Sequence, residues 1–263
     1  MGGELNNQGL KRAGTGQAGG SKLLRRCWHG LYGIYFVMLL IAIVVLTTII
    51  LLVIPGLQRR RRVARFAARA VFRLSATPVL VSGRPLPSDP AIVVANHASY
   101  LDGIVMFAVL PVDYCFVIKR EMQAVPVASL LLRRLGMEFV ERSDSRRAAS
   151  DTRRLMRAAK GGQHLAAFPE GTFRREPGLG RFHGGAFRAA VTAGLAVIPV
   201  TIRGTRAILA DGQYLPVPGR IEIEVHEAIA VDRDGGRAEV ARLRELAREA
   251  ILATLGEPDL VAG

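Results

Sequence analysis

The sequence predicts a single α/β domain, with a mixed, mostly parallel sheet flanked by helices, preceded by a membrane-anchoring segment. First, short apolar runs alternate with helical stretches after Thr77 and Pro78, which is typical of α/β domains. Second, a run of 24 residues without charge, 31–54, lies near the start of the chain. Third, 50% of the residues are apolar, which is too many for a mostly disordered protein.

The predicted elements bring the ends of several strands to one edge of the sheet. The predicted strands are 79–82, 91–95, 114–118, 137–141, 164–168, 196–202 and 221–230. The predicted helices are 101–109, 125–135, 145–159, 185–193 and 237–255. Ligands of α/β sheets bind beside the carboxyl ends of the strands. We therefore expect the functional residues to follow those strands directly.

Two segments with contrasting composition begin the chain. Residues 1–22 are rich in Gly, Asn and Gln and have no apolar period, so they are predicted to be a disordered basic tail. Residues 23–56 are predicted to anchor the protein in a membrane, because a 24-residue apolar helix extends about 36 Å against a hydrocarbon core of about 30 Å. A cleaved signal peptide and a buried core helix are the alternatives. The run permits a full span, a hairpin or a helix within one leaflet.

Residues 57–76 are predicted to form a basic amphipathic helix at the membrane interface. Arginines at 61, 65, 69 and 73 share one face, and apolar residues share another. The net charge of +14 therefore indicates an anionic membrane surface as partner, rather than nucleic acid, since the basic block adjoins the apolar run. A non-enzymatic, membrane-tethered nucleic-acid-binding protein is the distant alternative. The larger basic excess after the run places the domain on the cytoplasmic face, in a bacterial inner membrane.

Several function classes lack their motifs in this chain. Cys27 and Cys115 are its two cysteines, which predict neither a disulfide framework nor a metal site, and favour a reducing compartment. No GxxxxGK[ST] and no GxSxG is present, so a phosphate-cradling loop of that type and a serine-hydrolase elbow are both unsupported.

A candidate base lies directly after the second predicted strand. The strand ends at Asn96, His97 follows, and Asp102 stands five residues later at the start of a helix. A carboxylate that bonds one imidazole nitrogen leaves the other free to remove a proton from a bound hydroxyl. No Ser or Cys nucleophile stands nearby, so direct transfer to that hydroxyl is favoured over a covalent intermediate. A structural histidine is the alternative.

Two further stretches follow predicted strands and offer anion ligands. In residues 168–175, Gly171 lets the backbone approach a ligand, Thr172 can donate a hydrogen bond to an anion, and Arg174 can pair with phosphate. Arg142 ends another strand at the same edge. An ordinary turn and a surface ion pair are the respective alternatives.

Taken together and in order, these motifs resemble those of the PlsC-type glycerolipid acyltransferases, the 1-acylglycerol-3-phosphate acyltransferases. The matching blocks are NHxxxxD at 96–102, G-x-x-F-x-x-R at 136–142, FPEGT at 168–172 and V-x-P-V at 197–200. The resemblance covers about residues 78–230, within a predicted acyltransferase domain at 77–263. One departure stands out. Family members usually follow Glu-Gly-Thr with Arg, whereas this chain has Phe173.

The resemblance implies acyl transfer from acyl-CoA or acyl carrier protein to a lysophospholipid hydroxyl, without a cofactor. The expected acceptor is 1-acylglycerol-3-phosphate, which would give phosphatidic acid; because of Phe173, another lysolipid such as lyso-ornithine lipid is the alternative. By this resemblance His97 is the general base and Asp102 orients it. The implied acceptor-binding residues are Gly136, Phe139, Arg142, Glu170, Gly171 and Thr172, with Lys119 and Arg174 as further phosphate contacts.

Overall fold

The computed structural model describes residues 15–140 and 145–261. The helices are α1 Thr15–Val53, α2 Leu57–Leu74, α3 Leu101–Val109, α4 Pro126–Arg134, α5 Ser145–Lys160, α6 Gly185–Ala193, α7 Thr205–Ile208 and α8 Gly236–Leu255, with a 3-10 helix at Arg120–Ala124. The strands are β1 Val79–Gly83, β2 Ala91–Ala95, β3 Cys115–Lys119, β4 Glu138–Val140, β5 Leu165–Ala167, β6 Ala196–Arg203 and β7 Ile221–Val225.

All seven strands of this described region form one sheet in the order β1-β7-β6-β2-β5-β3-β4. The five strands from β6 to β4 run parallel, whereas β7 pairs antiparallel to β6, and β1 pairs parallel to β7. Parallel neighbours require crossover connections, which the intervening helices supply. The predicted mixed, mostly parallel sheet is thus confirmed.

Strand β2 lies in the middle of the sheet and is buried on both faces. Ala91, Val93 and Ala95 belong to the core layer that α2 and α3 cover, whereas Ile92 and Val94 belong to the layer covered by α6 and α8. A strand covered on both faces needs an unbroken apolar sequence. Helices on both faces therefore leave only the ends of β2 open to a ligand.

The structure differs from the predicted elements at a few boundaries. Helix α1 begins at Thr15, inside the tail predicted to be disordered, because extending an existing helix costs less than nucleating one; residues 1–14 lie outside the described residues. The strand predicted at 221–230 ends at Val225, after which only Ile229 returns to form an isolated bridge with Val197.

Helices α1 and α2 form a hairpin that turns at Gly56, where φ is +82° and a side chain would be strained. Helix α1 packs against α2 and α4 and buries Phe36 and Leu51 completely. Its stretch Leu24–Val53 is long and apolar enough to cross a membrane, and 22% of its most apolar window is buried in the protein. Most of that stretch is therefore not buried in the protein.

The arginine stripe of α2 is partly used within the domain. The buried Arg61 donates to the carbonyl oxygens of Leu135, Val112, Asp113 and Gly136 at 3.0 to 3.3 Å. These carbonyls lie in loops outside the helical ladders, so they need donors from elsewhere in the fold.

The next two arginines of the stripe bind the end of α3. Arg65 donates to Ala108 and Val109, and Arg69 donates to Ala108. The last carbonyls of a helix lack partners within the helix and carry partial negative charge, which cations satisfy. Arg59, Arg62, Arg69 and Arg73 remain exposed.

We expect Arg61→Met to lower the free energy of unfolding by about 3 kcal/mol, because the buried carbonyls lose a charged donor. The neighbouring exposed Arg62→Met is the matched control and should change stability by less than about 0.5 kcal/mol. Denaturant titration of both variants in detergent micelles measures the difference. Equal midpoints for the two variants would contradict the structural role of Arg61.

Candidate active site

The carboxyl ends of β2 and β5 lie side by side because the two strands pair in parallel, with Ile92 opposite Leu165 and Val94 opposite Ala167. The chain leaves β2 into Asn96 and His97, and it leaves β5 into the Phe168–Thr172 segment. His97 and Phe168, which are 71 positions apart in the sequence, are thereby neighbours at one edge of the sheet.

Asn96 fixes the end of β2. Its side-chain amide donates to the carbonyl of Ile202 at 2.9 Å and accepts from the N–H of Ile202 at 2.7 Å, so it mimics one more step of pairing with β6. The amide is buried, and an unpaired group there would be costly. This bridge sets where the following His97 leaves the sheet.

The predicted pair of His97 and Asp102 is formed. Nδ1 of His97 lies 2.9 Å from Oδ2 of Asp102, and the same oxygen accepts from the N–H groups of Ala98 and Ser99 at 2.6 and 2.7 Å. Asp102 is completely buried in the first turn of α3, where the helix dipole favours a negative charge. The other imidazole nitrogen, Nε2, has no hydrogen bond to any described residue and is left for a ligand.

Aromatic rings hold the imidazole of His97 from two sides. Phe168 stacks on it with centroids 4.3 Å apart, and Phe173 meets it edge-on at 4.7 Å. Tyr100 in turn contacts Phe173 edge-on at 4.6 Å. The His97 side chain is 18% exposed, so the ring is packed yet reachable. Sequence reasoning did not assign Tyr100 or Phe173 to these contacts, because only the fold brings the two loops together.

Glu170 occupies the space between the two loops in a way that the sequence did not predict. One carboxylate oxygen accepts from the backbone N–H of His97 at 2.7 Å, and the other accepts from the N–H of Gly180 at 2.8 Å. Burial raises the pKa of Glu170, and the two N–H bonds oppose that change. Both carboxylate oxygens of Glu170 thus accept hydrogen bonds from the backbone and not from a group on the open side of the site.

The other predicted anion ligands lie around the same edge. Gly171 adopts a φ of +84° directly after Glu170, and Thr172 is exposed beside it. Lys119 ends β3, next to β5, and pairs with Glu121 at 3.0 Å. Arg174 is exposed two residues after Thr172. The structure therefore brings these four residues to the edge where His97 lies.

Two predicted substrate residues, Gly136 and Phe139, are not brought to His97, and a third, Arg142, cannot be placed. Gly136 lies before β4, at the amino ends of the parallel strands, where its φ of +64° ends the turn after α4 and an added Cβ would meet Leu57 at 3.1 Å. Phe139 is buried within β4. Arg142 lies outside the described residues. Gly136 and Phe139 thus lie away from the carboxyl ends of the strands, where ligands of α/β sheets bind.

The chemistry of this edge is that of a positioned base. A buried carboxylate orients an imidazole, and backbone and hydroxyl donors stand nearby. Among residues 15–140 and 145–261, no group of three or more His, Cys, Asp or Glu side chains is placed to hold a metal ion. The arrangement can take a proton from a hydroxyl bound against Nε2 of His97.

Comparison with known proteins identifies relatives that share these motifs. Residues 78–203 match the family model Acyltransferase. The chain is 31% identical over 157 residues to a chloroplastic 1-acyl-sn-glycerol-3-phosphate acyltransferase of Arabidopsis thaliana, covering 59% of this chain and 43% of the relative. It is 37% identical over 139 residues to the lyso-ornithine lipid O-acyltransferase of Pseudomonas aeruginosa, covering 51% of each chain. The chain thus spans about half the length of the curated relatives it matches.

The fold has a counterpart among solved structures. The crystal structure of the 1-acyl-sn-glycerophosphate acyltransferase PlsC from Thermotoga maritima superposes with a TM-score of 0.73 at 22% identity, over 88% of this chain and 96% of that one. The matched family segment contains the His97–Asp102 pair and the Phe168–Thr172 segment. Residues 78–203 therefore match the Acyltransferase family, and the fold of this chain is similar to that of PlsC.

Proposed function

We propose that the protein transfers an acyl chain from acyl-CoA or acyl carrier protein to the free hydroxyl of a lysophospholipid, with 1-acylglycerol-3-phosphate as the leading acceptor. The observation that carries the proposal is the His97–Asp102 pair at the edge where β2 and β5 end, with Nε2 bonded to none of the described residues. The names of the relatives support the same reaction class.

The reaction needs one proton relay. Nε2 of His97 takes the proton of the acceptor hydroxyl while that oxygen attacks the thioester carbonyl carbon. The C–O bond forms, the C–S bond breaks, and the imidazolium returns its proton to the leaving thiolate. Asp102 holds the Nδ1–H tautomer and stabilises the imidazolium without taking the proton.

The acceptor headgroup lies beside this relay in our proposal. Gly171, Thr172, Lys119 and Arg174 supply donors for an anionic headgroup from the loops at the same edge, and Arg142, which follows β4, completes them. Gly136 and Phe139 do not contact the headgroup in this proposal; they contribute by fixing the position of β4. The donor thioester approaches from the open side of His97.

We expect His97→Ala to lower thioester consumption by about 10³-fold, since the base is lost. The assay offers palmitoyl-CoA with 1-acylglycerol-3-phosphate to membranes carrying the protein, beside an acceptor-free control and palmitoyl acyl carrier protein as a second donor. His29→Ala, a histidine on α1 outside the site, is the matched control and should keep wild-type activity. Wild-type-like transfer by folded His97→Ala would refute the mechanism.

A second acceptor is favoured by one particular side chain. Phe173 places an apolar ring 4.7 Å from the imidazole of His97, at the position where the family usually carries an arginine. A ring offers no charged donor to a phosphate monoester, and the relative at 37% identity is named a lyso-ornithine lipid O-acyltransferase. Lyso-ornithine lipid, whose headgroup lacks phosphate, is therefore the alternative acceptor.

We expect Phe173→Arg to shift preference toward 1-acylglycerol-3-phosphate over lyso-ornithine lipid by about 10-fold in the ratio of kcat/KM, because it adds a phosphate-pairing group. Competition between the two purified lysolipids measures this ratio. Phe173→Leu, which removes the ring without adding charge, should leave the ratio near that of the wild type. A shift of equal size in Phe173→Leu would mean that the ring, rather than the missing charge, sets the preference.

The membrane contact of α1 is part of the proposed function, since the acceptor is a lipid. The hydroxyl of Tyr35 donates to the carbonyl of Leu74 at 2.9 Å, and the carbonyl of Leu51 accepts from Arg134 at 2.7 Å. These contacts lie 16 residues apart, about 24 Å along the helix. A helix that packs against a charged domain over that length cannot contact lipid on the packed side, as a helix spanning the bilayer would. We therefore place α1 in one leaflet, with the domain at the cytoplasmic face.

We expect Cys27 to react with a membrane-impermeant maleimide on the same side of sealed vesicles as the catalytic domain. Cys27 is exposed near the start of α1, and Cys115 is buried, so one thiol reports the topology. A Cys27→Ala, Glu245→Cys variant marks the side of the domain, and Cys27→Ala alone measures background labelling. Labelling of Cys27 only from the opposite face would show that α1 crosses the bilayer.

A further inference from the structure

The segment that follows α8 runs along the loop that carries the acyltransferase motif. We call residues 256–260 the strap and residues 171–180 the motif loop. The N–H of Leu179 donates to the carbonyl of Pro258 at 2.9 Å, and the N–H of Leu260 donates to the carbonyl of Leu179 at 3.1 Å. A Cβ on Gly178 would lie 2.5 Å from the side chain of Leu260. The strap therefore fits the motif loop without space between them.

An ion pair between Arg248 and Asp259 joins the strap to α8 and to the motif loop. Arg248 of α8 is buried and forms a two-point pair with Asp259 of the strap. The same guanidinium donates to the carbonyls of Gly180 and Leu179 at 3.3 Å. The hydrogen bonds with Asp259 raise the pKa of Arg248. One side chain thus connects three parts of the fold.

A second ion pair, between Glu257 and Arg206, contacts the middle of the motif loop. Glu257 of the strap accepts from the N–H of Gly178 at 2.7 Å and pairs through both oxygens with Arg206, at 3.0 and 3.1 Å. Arg206 also donates to the carbonyl of Arg174 at 2.5 Å. The motif loop is consequently fixed at Arg174 and again at 178–180.

The end of the motif loop is tied to the catalytic histidine by Glu170. The N–H of Gly180 and the N–H of His97 each donate to a different oxygen of that carboxylate, at 2.8 and 2.7 Å. A Cβ on Gly180 would lie 2.9 Å from the carboxylate, so the fit is close. Contacts therefore run without a break from Asp259 through Arg248, Gly180 and Glu170 to His97.

We propose that the strap and Glu170 are positioning elements, which hold the backbone of His97 where its imidazole can reach the acceptor hydroxyl. The inference rests on the proposed acyl transfer and assigns Glu170 a role different from direct acceptor binding. A displacement of about 1 Å at a reacting group can cost about 100-fold in rate. The catalytic residue is His97, and Glu170, Arg248 and Asp259 act through it.

The experiment compares Asp259→Asn and Glu170→Gln with Glu245→Gln, which disrupts an exposed ion pair on α8 and is the matched control. We expect kcat to fall about 10-fold in the first two variants while the KM for the acceptor stays within about 2-fold, since orientation is lost rather than binding. Asp259→Glu, which keeps a carboxylate, should recover most of kcat. If Asp259→Asn folds poorly, Arg248→Lys replaces it.

A second readout does not depend on activity. Amide hydrogen exchange in a peptide covering 95–103 should become faster in Asp259→Asn, because Glu170, which accepts from the N–H of His97, is then held less firmly through Gly180. Exchange should stay unchanged in Glu245→Gln. Unchanged exchange, or a rise in acceptor KM with constant kcat, would overturn the proposal. Faster exchange in a protein that acylates no acceptor would instead leave the coupling standing and refute the proposed function.

Discussion

Three donors converge on a single buried oxygen, Oδ2 of Asp102, and the geometry of the candidate site depends on it. The imidazole of His97 and the N–H groups of Ala98 and Ser99 all bond this atom. The carboxylate is shielded from water and lies at the amino end of α3, so its charge is balanced by donors of the chain itself. Any hydroxyl that reaches Nε2 therefore meets an imidazole already held in one orientation.

The arginines of this chain occupy two environments that composition alone does not separate. Arg61, Arg65 and Arg69 donate hydrogen bonds to carbonyl groups of the domain, and Arg248 pairs with Asp259. Guanidinium groups suit this purpose because they present several donors in one plane. Other arginines, such as Arg59 and Arg62, remain exposed. One residue type thus occupies both internal and surface positions.

Much of the fold was predictable because its signals are local. The apolar run 91–95 is a central strand, and the helices 101–109 and 185–193 begin and end at the predicted residues. The site at the carboxyl ends of β2 and β5 was also predictable, since parallel strands bring such ends together whatever their separation in sequence. His97 and Asp102 needed only five residues of local geometry to meet.

The sequence by itself therefore determined the α/β class, the apolar helix and the position of the histidine–carboxylate pair. Only the tertiary structure decided which element covers each face. It turned Arg61 inward, set Phe173 against the imidazole of His97, and directed both oxygens of Glu170 to backbone N–H groups. The physical reason is that periodicity shows which residues share a face, whereas a side chain's partner depends on distant segments, such as the strap, that pack against it.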